Sequence, residues 1–187
     1  PIPLRGRPEE WQAIPAAVFR DGGEERFTVS LAMDSANLYG AFRVRDDSPF
    51  VNRGDDEKLL FKTGDSVNLE LGSHREAATR PEDVRLLIAP FRGKPAAVLY
   101  RYRVPGARQP QEFISPIGRA TVDQVEVLDD AEVRVTPVPG GYFLEFRIPR
   151  RHLPVLNRKA VFGDAGVIFS DAAGTINRYN AFFHSTQ

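Results

Sequence analysis

Along most of this chain hydrophobic and polar residues alternate with period two, the pattern of strands with one buried and one wet face. The most informative stretch runs from Asn37 to Leu71. One alternating run covers Asn37–Pro49, a second covers Thr63–Leu71, and the loop between them is rich in Asp, Asn and Gly. Further alternating runs occupy Phe27–Met33, Asp83–Ile88, Ala96–Tyr102, Gln124–Leu128, Ala131–Val135, Tyr142–Ile148 and Ala165–Ser170. Prolines at 90, 95, 105, 110, 116, 137, 139, 149 and 154 interrupt any helical pattern. Short strands punctuated in this way predict an all-β protein, an antiparallel sandwich or barrel.

The turn chemistry agrees. Pro139-Gly140-Gly141 lies between two alternating runs, and glycine supplies the positive φ that tight hairpins need. Asp34–Asn37 reads as a second hairpin connection. Pro149–Leu153 suits a short helical turn, because proline is pre-set for its first position. Ser73–Asp83 is polar and reads as a loop or single turn.

Composition narrows the functional classes. At 187 residues the chain fits one domain, residues 1–187, without an internal repeat. Lys plus Arg total 25 and Asp plus Glu total 25, a balance that argues against a protein built for nucleic acid. The absence of cysteine excludes disulfides, thiolate metal sites and cysteine nucleophiles. No apolar run approaches the roughly 20 residues of a membrane span. The first residue is Pro1 rather than Met, as expected of a piece trimmed from a larger protein.

Catalytic motifs are missing: there is no Gly-x-Ser-x-Gly, His-Glu-x-x-His or phosphate-cradling glycine loop. Glu70 and Glu145, the carboxylates a glycosidase reading would use, sit at alternating polar strand positions where a solvated Glu is ordinary. Arg101, Arg103 and Arg108 beside Tyr100 and Tyr102 read as the wet face of a strand pair rather than a polyanion surface. The chain is therefore expected not to be an enzyme. Asp46, Asp47, Asn52, Asp55, Asp56 and Asp65 offer hard oxygens to a structural calcium ion, with Asp46, Asp47 and Asp65 as its core ligands. Turn formation by Asp and Asn is the competing explanation.

Several motifs fall in a familiar order. Asn37-Leu38-Tyr39 through Arg45-Asp46-Asp47-Ser48-Pro49, then Gly64-Asp65-Ser66-Val67, resemble the family 9 carbohydrate-binding modules, part of the wider DOMON-like superfamily of extracytoplasmic sugar- and haem-binding sandwiches. Trp11-Gln12 resembles the family's opening tryptophan strand, and Gly141–Pro149 its strand ending in Ile-Pro. Gly163–Ala172 and Arg178-Tyr179-Asn180 resemble its closing strands. The resemblance implies a jelly-roll or immunoglobulin-like sandwich, secreted, periplasmic or on the cell surface, serving as a polysaccharide-binding accessory domain beside other domains of a bacterial protein.

It also implies a site. Family members clamp a chain-end sugar between two aromatics, for which Phe61, beside Lys62, and Tyr179 stand nearest here. Arg85 matches a position that donates to sugar hydroxyls, and Asn177 and Asn180 lie near another polar contact. Arg85 and Lys62 would suit an acidic or sulfated glycan. The chain departs from the family in lacking both clamp tryptophans and in carrying Asn68 where a carboxylate is usual. Those departures keep two alternatives open: a structural or interaction module that has lost the sugar site, and a haem-binding electron-transfer domain. Haem would need Met33 with His74, His152 or His184, a thin supply of ligands, and Met33 reads as an ordinary core methionine.

Overall fold

The alternating runs become strands of two antiparallel sheets in a computed structural model that describes residues 1–74, 80–115, 118–173 and 177–183. Nine strands coincide with the runs read from the sequence: β2 (Glu24–Met33), β3 (Asn37–Arg45), β4 (Ser66–Gly72), β5 (Val84–Phe91), β6 (Lys94–Arg101), β9 (Gln124–Val127), β10 (Glu132–Val138), β11 (Gly141–Pro149) and β12 (Phe162–Ser170). Four more complete the described set: β1 (Ala16–Asp21), the pair β7 (Gln111–Ser115) and β8 (Gly118–Val122), and β13 (Asn177–Ala181). The first sheet has the order β1-β2-β3-β11-β10 and the second β13-β12-β4-β5-β6-β9, while β7 and β8 pair with each other.

The expected hairpins close as their residues dictate. Between β2 and β3, Asp34 Oδ1 accepts from the amides of Ala36 at 2.9 Å and Asn37 at 2.8 Å. Between β10 and β11, Gly140 adopts φ +74° and Gly141 φ +153°, angles that glycine alone adopts cheaply. Arg150–His152 form a 3₁₀ turn after Pro149.

The main core lies between the sheets. Phe27, Phe42, Leu144 and Phe146 of the first sheet meet Leu69, Leu86, Leu99 and Val167 of the second. Gly40 makes room for this packing, because a Cβ there would collide with the ring of Phe146. The outer faces are covered too. Trp11 packs on Tyr39, Ala41 and Phe143 outside the first sheet. Outside the second, Leu60 and Val122 pack on Leu87, Ala89, Val98 and Tyr100. Strand β5 is consequently apolar on both faces, and Arg85 is the charge that breaks its run.

Two local expectations are corrected. Trp11 stands in a one-turn 3₁₀ helix, Pro8–Trp11, rather than a strand. Glu145 is not solvated: it is buried, with Oε1 accepting from the Gly6 amide at 2.7 Å and Oε2 from Trp11 Nε1 at 3.3 Å. A carboxylate can occupy that apolar layer because it ties down donors that would otherwise lie unpaired. Glu145→Ala should therefore cost on the order of 3 kcal/mol in urea denaturation. Emission of Trp11, the single tryptophan, should shift to the red as the N-terminal segment loosens.

Candidate functional site

Arg85 is the centre of a polar and aromatic patch on the outer face of the second sheet. Its neighbours follow from register. Glu70 stands opposite it on β4 and Tyr100 opposite it on β6. Asn68, one outward position along β4 from Glu70, accepts a hydrogen bond from Arg85 Nε at 2.8 Å and donates to Ser66 Oγ at 3.1 Å. The buried Asn68 thus aims the guanidinium.

Aromatic rings approach Arg85 from different parts of the chain. Phe61 comes from the short 3₁₀ turn Leu60–Lys62, with its centroid 5.4 Å from Arg85 Cζ. Tyr179 comes from β13, with its centroid 5.9 Å from the same carbon. These separations fall within cation–π range. Gly166 on β12 lets the tyrosine lie down, because a Cβ there would stand 2.6 Å from Tyr179 Cε2. Lys62 Nζ lies 5.6 Å from the Phe61 centroid. Phe113 of β7 meets Phe61 edge-on at 5.5 Å and braces it from outside.

The loop between β3 and β4 is built to present Phe61. Leu60 is fully buried against the outer-face cluster. Asn52 Nδ2 donates to the carbonyls of Leu60 at 2.7 Å and Asp65 at 3.2 Å, while its Oδ1 accepts from Thr63 Oγ1 at 2.7 Å and the Gly54 amide at 3.0 Å. Tyr100 Oη donates to the Glu57 carbonyl at 2.8 Å. Asp65, wholly enclosed, accepts from the amides of Ser170 and Val51 at 2.7 and 2.8 Å.

Burial also sets the protonation of the phenols in the patch. Burial raises the Tyr179 hydroxyl well above the usual tyrosine range, and Arg85 opposes the rise. Burial likewise pushes Tyr102 up to about 12. Both hydroxyls stay protonated and able to donate. Tyr179 Oη is itself buried and has no hydrogen-bond partner among the described residues. Among the described residues Arg85 makes no hydrogen bond besides the one to Asn68, so both Nη groups retain their donors.

Phe61, Lys62, Arg85 and Tyr179, all expected from the sequence, converge here. Asn177 lies two residues from Tyr179 on the same strand face and is exposed. Asn180 does not join them: it pairs with the core residue Val167, points to the opposite face and is buried. Glu70, Tyr102, Asn68 and Gly166 complete the patch. Alternation put Glu70 on an outer face, but only the register brings it beside Arg85.

The acidic loop serves turns and caps. Asp46 Oδ1 accepts from the amide and hydroxyl of Ser48 at 2.9 Å each, and Asp56 Oδ1 accepts from the Lys58 amide at 2.9 Å. Asp65 is spent on its two amides, and Asp47 is exposed. Among the described residues no three His, Cys, Asp or Glu side chains converge as metal ligands, so Asp46, Asp47 and Asp65 do not form the expected calcium set. The expectation of a core methionine is also corrected, for Met33 is 61% exposed at the end of β2. His74 and His152 contact Asp83 at 2.8 Å and Asp130 at 2.9 Å, while His184 lies outside the described residues. Arg101 pairs with Glu126 at 3.0 Å and Arg103 with Asp123 at 3.7 Å.

Two carboxyls should titrate on opposite sides of their ordinary range. Burial pushes Asp65 up to about 6 despite its two amide donors, with the charge of Asp46 adding to the rise. Its folded form holds the proton more tightly than the unfolded chain, whose aspartates titrate near about 4. Its stabilising contribution is therefore complete below about 4 and fades as pH rises through about 6. Asp34 is held down to about 2 by the amides of Ala36 and Asn37 and the hydroxyl of Tyr39. Its contribution is present above about 4 and is lost as pH falls through about 2. Side-chain carboxyl NMR across this range should find the two midpoints near those values.

No protein-family model matches the chain, and no curated protein or solved structure matches it either.

Proposed function

We propose that this protein is a non-catalytic carbohydrate-binding sandwich of the family 9, DOMON-like type, acting as an extracytoplasmic accessory domain of a larger bacterial protein. The observation that carries the reading is the convergence of Phe61 and Tyr179 on Arg85, from the β3–β4 loop and the last described strand. A sugar ring offers apolar C–H groups on its faces and hydroxyls around its rim, so it asks for aromatic surface beside fixed polar groups. This patch supplies both. The ring faces of Phe61 and Tyr179 give apolar contact area, and Arg85 gives donors already oriented by Asn68.

Arg85 is rigid in a way that favours recognition. Its Nε is engaged by Asn68, and its guanidinium plane is confined by two aromatic neighbours. Little side-chain freedom remains to be lost when a ligand arrives. The described residues contain no helix long and apolar enough to cross a membrane.

Glycan-array screening followed by titration calorimetry tests the proposal. Arg85→Ala should weaken the binding found by about 2 kcal/mol, the scale of a hydrogen bond from a charged donor. Phe61→Ala and Tyr179→Ala should each cost about 1 kcal/mol through lost ring contact. A protein that binds no glycan, or whose binding is indifferent to Arg85→Ala, would return the fold to a structural or interaction role.

A further inference from the structure

Glu70 and Arg85 form an unusual pair. They are directly opposed on β4 and β5, where cross-strand Cβ atoms lie roughly 5 Å apart, and they project from the same sheet face as Tyr179. Opposite charges so placed would ordinarily join. Here they do not: the ion pairs and hydrogen bonds of the described residues include none for Glu70, and Arg85 donates only to Asn68. Asn68 lies diagonally across from Arg85, and by taking Nε it draws the guanidinium along the strand toward the rings of Phe61 and Tyr179. The Glu70 carboxylate and the Nη side of the Arg85 fork are left side by side, each residue half-buried and neither group hydrogen-bonded among the described residues.

Resting on the carbohydrate reading above, we infer that Glu70 and Arg85 together read two neighbouring hydroxyls of an uncharged sugar ring, and that Glu70 excludes carboxylated and sulfated sugars. A hydroxyl both donates and accepts, so a neighbouring pair can accept from Arg85 while donating to Glu70. A carboxylate or sulfate can only accept. It would satisfy Arg85 and oppose Glu70 at the same moment. Seen from Arg85 and Lys62 alone, the patch suits an anionic glycan; Glu70 reverses that preference. Specificity of this kind comes from the group that repels the wrong ligand.

The test compares cellobiose, xylobiose and mannobiose with glucuronic acid and glucose 6-sulfate by calorimetry, on the whole chain and on its Glu70→Gln variant. The side chain of Glu70 is half-buried and makes no hydrogen bond or ion pair among the described residues, so the variant should fold, which circular dichroism checks. The wild-type protein should bind at least one neutral disaccharide roughly tenfold or more tightly than either acidic sugar. Glu70→Gln should weaken the neutral sugar and narrow that ratio roughly tenfold, because the like-charge repulsion is gone. If neutral sugars bind and the ratio does not move in Glu70→Gln, the role of Glu70 is overturned while the carbohydrate reading stands. A wild-type preference for the acidic sugars overturns it equally. Failure of every sugar, on the array as well as in the calorimeter, removes both.

Discussion

One buried carboxylate holds the loop, the sheet and the aromatic patch in register. Asp65 stands at the entrance to β4, and its two oxygens take the amides of Val51 and Ser170, residues 14 and 105 positions away. The first bond fastens the loop that carries Leu60 and Phe61. The second fastens the end of β12, the strand that pairs with both β4 and β13 and carries Gly166 beneath Tyr179. Enclosing a carboxyl is expensive unless its acceptors are used, and here each oxygen has an amide. Its raised titration range records that burial still outweighs the two bonds.

The patch around Arg85 exists because the second sheet is covered unevenly. Leu60, Val122 and their neighbours close one part of its outer face, and apolar residues of β5 and β6 lie beneath them. Beyond that cover lie Arg85 of β5, Glu70 of β4 and Tyr102 just after β6, half-exposed beside Phe61 and Tyr179. The apolar cover and the polar patch share a border, and Phe61 forms it, packed on Tyr100 and Phe113 on one side and facing Arg85 on the other. A ring held in this way is ordered by its packing within the chain alone.

How much was legible follows the range of the forces involved. Alternation exposed nine strands because period-two burial is a local property of each segment. It missed β1, whose Ala16–Phe19 run does not alternate in a strand largely open to solvent, and β7 and β8, which are short and flanked by proline. It misjudged Glu145, since nothing near it in sequence reveals that Gly6 and Trp11 bring two donors across 139 and 134 residues. It misjudged Met33 in the other direction, because an apolar residue on an inward strand face is buried only where the opposite sheet extends over it.

The amino-acid sequence by itself determined the all-β class, the hairpin turns at Asp34–Asn37 and Gly140–Gly141, and the identities of Phe61, Lys62, Arg85 and Tyr179 as candidate contacts. Local patterning and turn chemistry are enough for the first two, and the family resemblance supplied the third. Only the tertiary structure decided which candidates meet. It turned Asn180 toward the core, committed Asp65 to two backbone amides and set Glu70 beside Arg85. Those outcomes depend on strand register, where a shift of one residue sends every side chain to the other face, and register is settled by packing between segments far apart in the chain.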